Sequence, residues 1–249
     1  ICSRKGKIFV FNNGVEKTVV IPDAKFHRFA LTRVLERFFR SDQYNVLSYG
    51  SFERFFVIRD SHVYLVNMAD SSVQLIGDPL GCRGIMHRAH CLLPDGRLLF
   101  GEYGHAPSKG YVPLHIISSE DGLLQESDSL AGIMAKHIHA IRWDEVSGHI
   151  WVCMGDKDGE CHIIVLSTDL KIVRKIGDGS QLYRTCDFIF GEKDVVWVMD
   201  SPVEESKVVA LSRKDLSIKI YQSVPGPAWY IVNKIRGRYL LSIAAEPGS

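Results

Sequence analysis

The chain has 249 residues, 30 Lys and Arg against 29 Asp and Glu, a formal net charge of +1, and 46% hydrophobic residues. That balance gives a globular chain rather than a disordered one. No apolar run approaches the roughly 18–20 residues of a membrane-crossing helix, and near-zero charge argues against a nucleic-acid binder, which carries a basic surplus. The length admits one large β domain or two small domains.

Taken in chain order, two β-type runs come first, 7–12 and 15–20, joined by Asn13-Gly14, a two-residue hairpin signal. Residues 24–40 then break the β pattern. Phe26, Phe29, Ala30, Val34 and Phe38 recur at helical spacing, and Asp23 after Pro22 supplies an N-cap. Lys25, Arg28, Arg33, Arg37 and Arg40 form the opposite face. The spacing predicts one inserted helix, packed on a β body with its basic face in solvent.

Short runs rich in Val, Ile, Phe, Tyr and Trp follow at 44–49, 53–58, 62–67 and 72–76. The pattern returns as paired runs, 88–93 with 97–103, 138–143 with 149–154, 186–190 with 195–199, and 229–234 with 238–244. Turn centres near 51, 95, 146, 193 and 236 repeat at roughly 45 residues, four strands to a unit. Such a period is that of a β-propeller, whose blades bury their faces only against one another. The expectation is therefore an all-β, single-domain, five-bladed propeller over 1–249, with a sixth blade left open by the irregular link 78–86. The N-terminal strands are expected to form the outer half of the blade whose inner half is C-terminal, closing the ring.

The six cysteines, Cys2, Cys82, Cys91, Cys153, Cys161 and Cys186, show no CxxC pairing and read as free, mostly buried thiols. That usage leans cytoplasmic. Ile1 is not a start methionine, so the compartment stays open.

Three turns between third and fourth strands are alike: Ser118-Ser119-Glu120-Asp121-Gly122, Ser167-Thr168-Asp169-Leu170-Lys171 and Ser212-Arg213-Lys214-Asp215-Leu216. Each follows an apolar run. The three turns resemble a worn Asp-box, S-x-D-x-G-x-x-W, of the BNR repeats in sialidase-like propellers, without the closing Trp. The runs KHIHAIRWDEVSGHIWVCMGD and GRLLFGEYGH are similar to the uncharacterised bacterial branch of that superfamily, over about 85–245. The resemblance implies the fold and a carbohydrate-active setting. It does not imply sialidase activity, because of the three substrate-clamping arginines only Arg184 stands at a suitable strand start.

In a propeller, the starts of first strands and the ends of second strands meet at one face. Starts supply His87, His90, His137, His139, Arg184, Asp187, Trp229 and Tyr230, and ends supply Asp60, Glu102, His105, Asp156, Asp200 and Glu246. His137 and His139 lie two apart on a strand and so face one side. With His90 they form a candidate site for a divalent metal such as Zn or Mn. A glycosidase would draw on paired carboxylates among Glu102, Asp156, Asp187 and Asp200. A polysaccharide lyase would use His90, His139 or Tyr230 as base, and Arg184 or a metal against a uronate carboxylate. The expected catalytic set is His90, His139, Arg184, Asp187 and Tyr230. The expected substrate-binding set is His87, Glu102, His105, Asp156, Asp200 and Trp229, with Trp229 and Tyr230 as a stacking platform for a sugar. The alternative is a non-catalytic propeller that binds a glycan or a protein on the same face.

Overall fold

The computed structural model describes residues 2–4, 7–12, 15–22, 44–48, 53–59, 61–79, 82–104, 110–118, 122–235 and 238–244. The helix expected over 24–40, and with it Asp60 and Glu246, lies outside the described residues. Among those described, the chain is all-β apart from one 3-10 turn, Gln181–Tyr183.

The strands follow one another as antiparallel meanders, each pairing with its predecessor in its own sheet. Sheet I holds Cys2–Arg4, Lys7–Asn12 and Val15–Val20. Sheet II holds Tyr44–Ser48, Arg54–Arg59, His62–Asn67 and Ser72–Gly77. Sheet III holds His90–Leu92, Leu98–Gly101, Leu114–Ile117 and Leu124–Ser127. Sheet IV holds Ile138–Asp144, His149–Met154, Cys161–Leu166 and Ile172–Gly179. Sheet V holds Ile189–Phe190, Asp194–Val198, Lys207–Ser212 and Ile218–Ser223. Sheet VI is the hairpin Ala228–Ile235 with Arg238–Ile243. Cys82–Gly84 and Tyr103–Gly104 make a small extra ladder beside sheet III. These are successive β-propeller-type sheets. The sequence pattern placed the paired inner strands; Cys2–Arg4, Cys82–Gly84 and the fourth strands Leu124–Ser127, Ile172–Gly179 and Ile218–Ser223 were given no range.

Side-chain alternation explains why the sheets stack. In the second strand of sheet IV, Ile150, Val152 and Met154 enter a core shared with sheets II and III, while Trp151 and Cys153 enter a core shared with sheet V. A period of two thus feeds two neighbours from one strand. The third strand, Cys161–Leu166, is buried throughout, and the fourth, Ile172–Gly179, is largely solvent-exposed. Hydrogen bonds join consecutive sheets. Asn45 donates to Ile85 O at 2.9 Å and accepts from Ile85 N at 3.0 Å. Ile138 N donates to Glu102 O, and Ala228 N to Met199 O.

The ladder expected to join the N-terminal strands to the C-terminal hairpin is not among the described pairings; sheets I and VI stand separately. Sheet I lays Ile8, Val10, Val19 and Ile21 on Phe55, Val57, Tyr64, Val66 and Met68 of sheet II, a face contact of the kind neighbouring blades make. Arg59 fixes this packing by donating to Ile21 O and Pro22 O at 2.7 and 2.9 Å.

The alike outer turns also share a backbone feature. Gly122, Leu170 and Leu216 take positive φ of 68°, 60° and 62°. Leucine there costs about 1–2 kcal/mol that glycine does not. The turn thus persists where the glycine of the Asp-box pattern is gone. Asp215 accepts from Ser217 N at 3.1 Å, whereas in the 167–171 turn Ser167 Oγ accepts from Lys171 N at 3.2 Å.

Candidate functional site

Sheet IV presents His137 and His139 at the start of its first strand and Asp156 just beyond its second. The stretch ahead of sheet V adds Arg184 and Cys186, and Asp200 follows the second strand of that sheet. All converge. His137 Nε2 and His139 Nε2 lie 3.1 and 3.2 Å from the same oxygen, Asp156 Oδ1, and Arg184 NH2 meets that oxygen at 3.1 Å. The two imidazoles stack with centroids 4.8 Å apart, so they do share one side. On its other nitrogen, His139 Nδ1 approaches Asp200 Oδ2 at 3.5 Å, and Arg184 Nε reaches the same Asp200 oxygen at 3.5 Å. Cys186 Sγ donates to Asp200 Oδ2 at 3.2 Å.

Gly155 makes this junction with its backbone at φ 93°, and its N–H donates to His137 O. A Cβ there would run into the Glu160 carbonyl, so only glycine delivers Asp156 to this place. Gln181 Nε2 and Arg184 NH1 anchor the Asp156 carbonyl at 2.9 and 3.1 Å.

The charges sort the cluster. Burial alone would neutralise His139, but hydrogen bonds to Asp156 and Asp200 outweigh it and raise its pKa. Burial lowers that of His137 against the single pull of Asp156. Burial also works against an ionised Asp156, yet hydrogen bonds from His137 and His139 hold its carboxyl well below the ordinary range. Burial and the Asp200 charge push the Cys186 thiol far up, so it stays a protonated donor. The result is an imidazolium clamped between two carboxylates, a neutral imidazole beside it, and a guanidinium tying both acids. Asp156 and Arg184 keep 27% and 15% of their side chains exposed, which places them at the lip. Tyr103 lies over His137 at 4.3 Å between centroids and is itself well exposed.

Other expected residues go elsewhere. Glu102 does not join the cluster: its Oε1 meets His115 Nε2 at 2.6 Å, both buried, beside the stacked Phe100 ring. Asp187, one residue after Cys186, faces the other way along the extended chain and is taken by Arg88 and Arg142. Two guanidiniums engage it at 2% exposure, yet burial outweighs their pull and raises its pKa. His90 is not a third donor beside His137 and His139; the third is Asp156. Burial, with Arg88, Arg142 and His87 nearby, lowers the His90 pKa to about 4. His87 packs on Tyr230 with ring centroids 5.5 Å apart, Trp229 stays exposed, and His105 lies outside the described residues.

The His90 shift has a consequence for stability. A histidine whose folded pKa is depressed gives up protons on folding, so its contribution is present above about 6.5 and is lost as pH falls toward 4. We expect His90→Asn to flatten the fall in stability between pH 7 and 4.5 by up to roughly 3 kcal/mol, read from urea midpoints.

The donor set of His137, His139 and Asp156 suits a transition metal in chemistry, its ligand atoms lying within 4.8 Å of one another. The Arg184 guanidinium, 3.1 Å from the same Asp156 oxygen, places a fixed cation where the metal would sit. A second group of this kind, His139, Cys186 and Asp200, is buried throughout, and Arg184 Nε lies 3.5 Å from its carboxylate.

No protein-family model and no curated protein matches the sequence. Among solved structures, the chain is similar to dihydro-heme d1 dehydrogenase NirN in complex with DHE. That match has TM-score 0.56 and 12% identity, covering 89% of this chain and 43% of that one. The extracellular domain of BT4673 from B. thetaiotaomicron superposes at TM-score 0.52 with 10% identity, over 80% of this chain and 26% of that one. A protein of Agrobacterium tumefaciens described as TolB superposes at 0.51 with 12% identity, over 76% and 64%. The fold is of the β-propeller type. At these identities the likeness extends to the fold alone. The chain spans less than half the length of NirN and about a quarter of BT4673. The BNR assignment is not carried by these neighbours. No helix among the described residues is long and apolar enough to cross a membrane.

Proposed function

We propose that the chain is a carbohydrate-active propeller that performs acid–base chemistry at the His137–His139–Asp156–Arg184–Asp200 cluster, on a uronate-bearing polysaccharide. The supporting observation is the convergence of two imidazoles and a guanidinium on one carboxylate oxygen, at 3.1–3.2 Å. In this reading neutral His137 is the base that takes the proton next to the sugar carboxylate. Asp156 orients it and balances the imidazolium it becomes. His139, whose pKa the hydrogen bonds to Asp156 and Asp200 raise, ties the two acids together and fixes them. Tyr103, over His137, supplies an aromatic face and a phenol that burial and Asp156 keep protonated. Lyase chemistry fits this set better than a glycosidase pair, because both acids are already engaged by His139 and Arg184. The five-blade count, the closure of sheet VI by sheet I, and kinship with BNR propellers belong to the same reading.

The experiment is a screen of uronate polysaccharides against the purified chain, reading the ultraviolet absorbance of unsaturated products and, for glycosidase action, new reducing ends. His137→Ala is expected to lower kcat by about 10²–10⁴-fold while the dissociation constant changes little. Equal turnover in the variant would overturn the assignment. Binding without turnover in the wild type would favour the non-catalytic glycan-binding propeller, and turnover lost to chelators would favour a metal centre.

A further inference from the structure

A second charged group sits where four sheets meet. Asp187 precedes the first strand of sheet V. Its Oδ2 lies 3.0 Å from Arg88 Nε, ahead of sheet III, and its Oδ1 lies 3.4 Å from Arg142 Nε in the first strand of sheet IV. Arg88 also donates from NH2 to Ile231 O of sheet VI at 3.0 Å. The backbones agree, since Arg88 bridges Ala140 and Ile141 N donates to Arg88 O. Arg142 lies three residues beyond His139, about 10 Å along the same strand at ordinary strand rise.

A guanidinium has five N–H donors. Each arginine turns Nε toward Asp187 as an ion pair, and one NH2 donor of Arg88 goes to Ile231 O. Both terminal nitrogens of Arg142, and NH1 of Arg88, meet no protein acceptor among the described residues. Two cations against one carboxylate leave an excess of one positive charge, and the arginine side chains are 32% and 28% exposed. His90 adds no charge, and its buried Nδ1 has no partner among the described residues. His87 and Tyr230, packed on one another, flank the group.

We propose that Arg88 and Arg142, braced by Asp187, form a subsite for a small oxyanion, and that the substrate carboxylate is its occupant. The planar donor forks match a carboxylate or another oxyanion, whether borne on a sugar or free in solution. This deepens the function proposed above and rests on it only in taking that carboxylate from a uronate. The two charged groups then divide the work. The arginine pair, about 10 Å along the strand from His139, holds the acid group of one sugar unit, and the histidine cluster takes the proton from a neighbouring unit.

The test is titration calorimetry of the whole chain with glucuronate, acetate, phosphate and chloride at fixed ionic strength. Arg142→Gln should weaken glucuronate binding by about tenfold or more, and Arg142→Lys by less, since it keeps the charge and loses the fork. Because Arg142→Gln leaves a buried carboxylate short of a partner, the double variant Arg142→Gln/Asp187→Asn removes both sides together. It should fold and still lose binding. Arg174→Gln, on the exposed fourth strand of sheet IV, should bind as the wild type. Tighter glucuronate than acetate or phosphate assigns the site to a sugar acid, and equal affinities assign it to free oxyanions. Undiminished glucuronate binding in both Arg142→Gln variants, or chloride binding as tightly as the oxyanions, overturns the proposal. Loss of glucuronate binding in Arg142→Gln, with no turnover of any polysaccharide by the wild type, keeps this subsite and defeats the catalytic reading.

Discussion

Asp144→Ala is expected to lower the unfolding free energy by about 3–5 kcal/mol, the usual cost of stripping one partner from a buried ion pair. Asp144 is fully buried. Its Oδ2 and Oδ1 take Arg213 NH1 and NH2 at 2.7 and 2.9 Å, a two-point contact between sheet IV and the third-strand end of sheet V. The same carboxylate accepts from Val146 N at 3.1 Å and Ser147 Oγ at 2.5 Å, capping the turn to the next strand. Alanine leaves a guanidinium without its charge partner and two turn donors unmet. Burial opposes an ionised Asp144, but Arg213 and Ser147 outweigh it and depress its pKa. Its contribution is therefore present above the ordinary carboxylate value and lost as pH falls through the depressed one. Urea unfolding at neutral pH measures the effect. A double cycle with Arg213→Met separates the pair from the turn, and a loss under about 1 kcal/mol would show the contact to be weak.

Asp156→Asn is expected to cost turnover about 10²–10⁴-fold, matching the loss of a positioned acid–base partner. The amide keeps an oxygen for one or two donors but not the charge that three donors now share. His139 then faces one carboxylate instead of two, and its pKa must fall. The sign follows. A histidine with a raised folded pKa contributes stability that is full below its ordinary value and fades as pH rises through the folded one. In Asp156→Asn that fading begins at lower pH. A ring-proton titration by NMR reads the shift directly. An unmoved His139 titration would mean that Asp200 alone holds its proton.

Much of the fold is legible in the sequence because strand runs and turns are local. The 149–154 run is apolar from residue 150 on without a break, as a strand buried on both faces must be, though which neighbour each face meets does not follow from it. The His137 and His139 pairing is legible for the same reason, since a spacing of two on a strand fixes a common side. Asp156, Arg184 and Asp200 follow from strand ends meeting at one face. What the pattern could not supply is partner choice. Asp187 and Glu102 lie near the right face, yet each is claimed by a cation far off in sequence, Arg88 with Arg142, and His115. Arg142 was the missed signal. It stands between Ile141 and Trp143 in the first strand of sheet IV, half-buried, where a charge needs a partner. Cys186 looked like a small core hydrophobe and instead donates to Asp200. The packing of sheet I on sheet II was not legible either, because which face meets which neighbour rests on tertiary contacts far apart in sequence.

Sheets IV and V are riveted at both ends of the joint between them. Arg213 on Asp144 pins one end, and Arg184 on Asp156 pins the other, about 17 Å away by the five residues that separate Asp144 from His139. The two arginines are alike at 17% and 15% exposure, but Asp144 is sealed from water while Asp156 keeps 27%. A group that enters at Asp156 therefore meets Arg184 on the very oxygen that ties sheet V to sheet IV, so the joint and the candidate site share one contact.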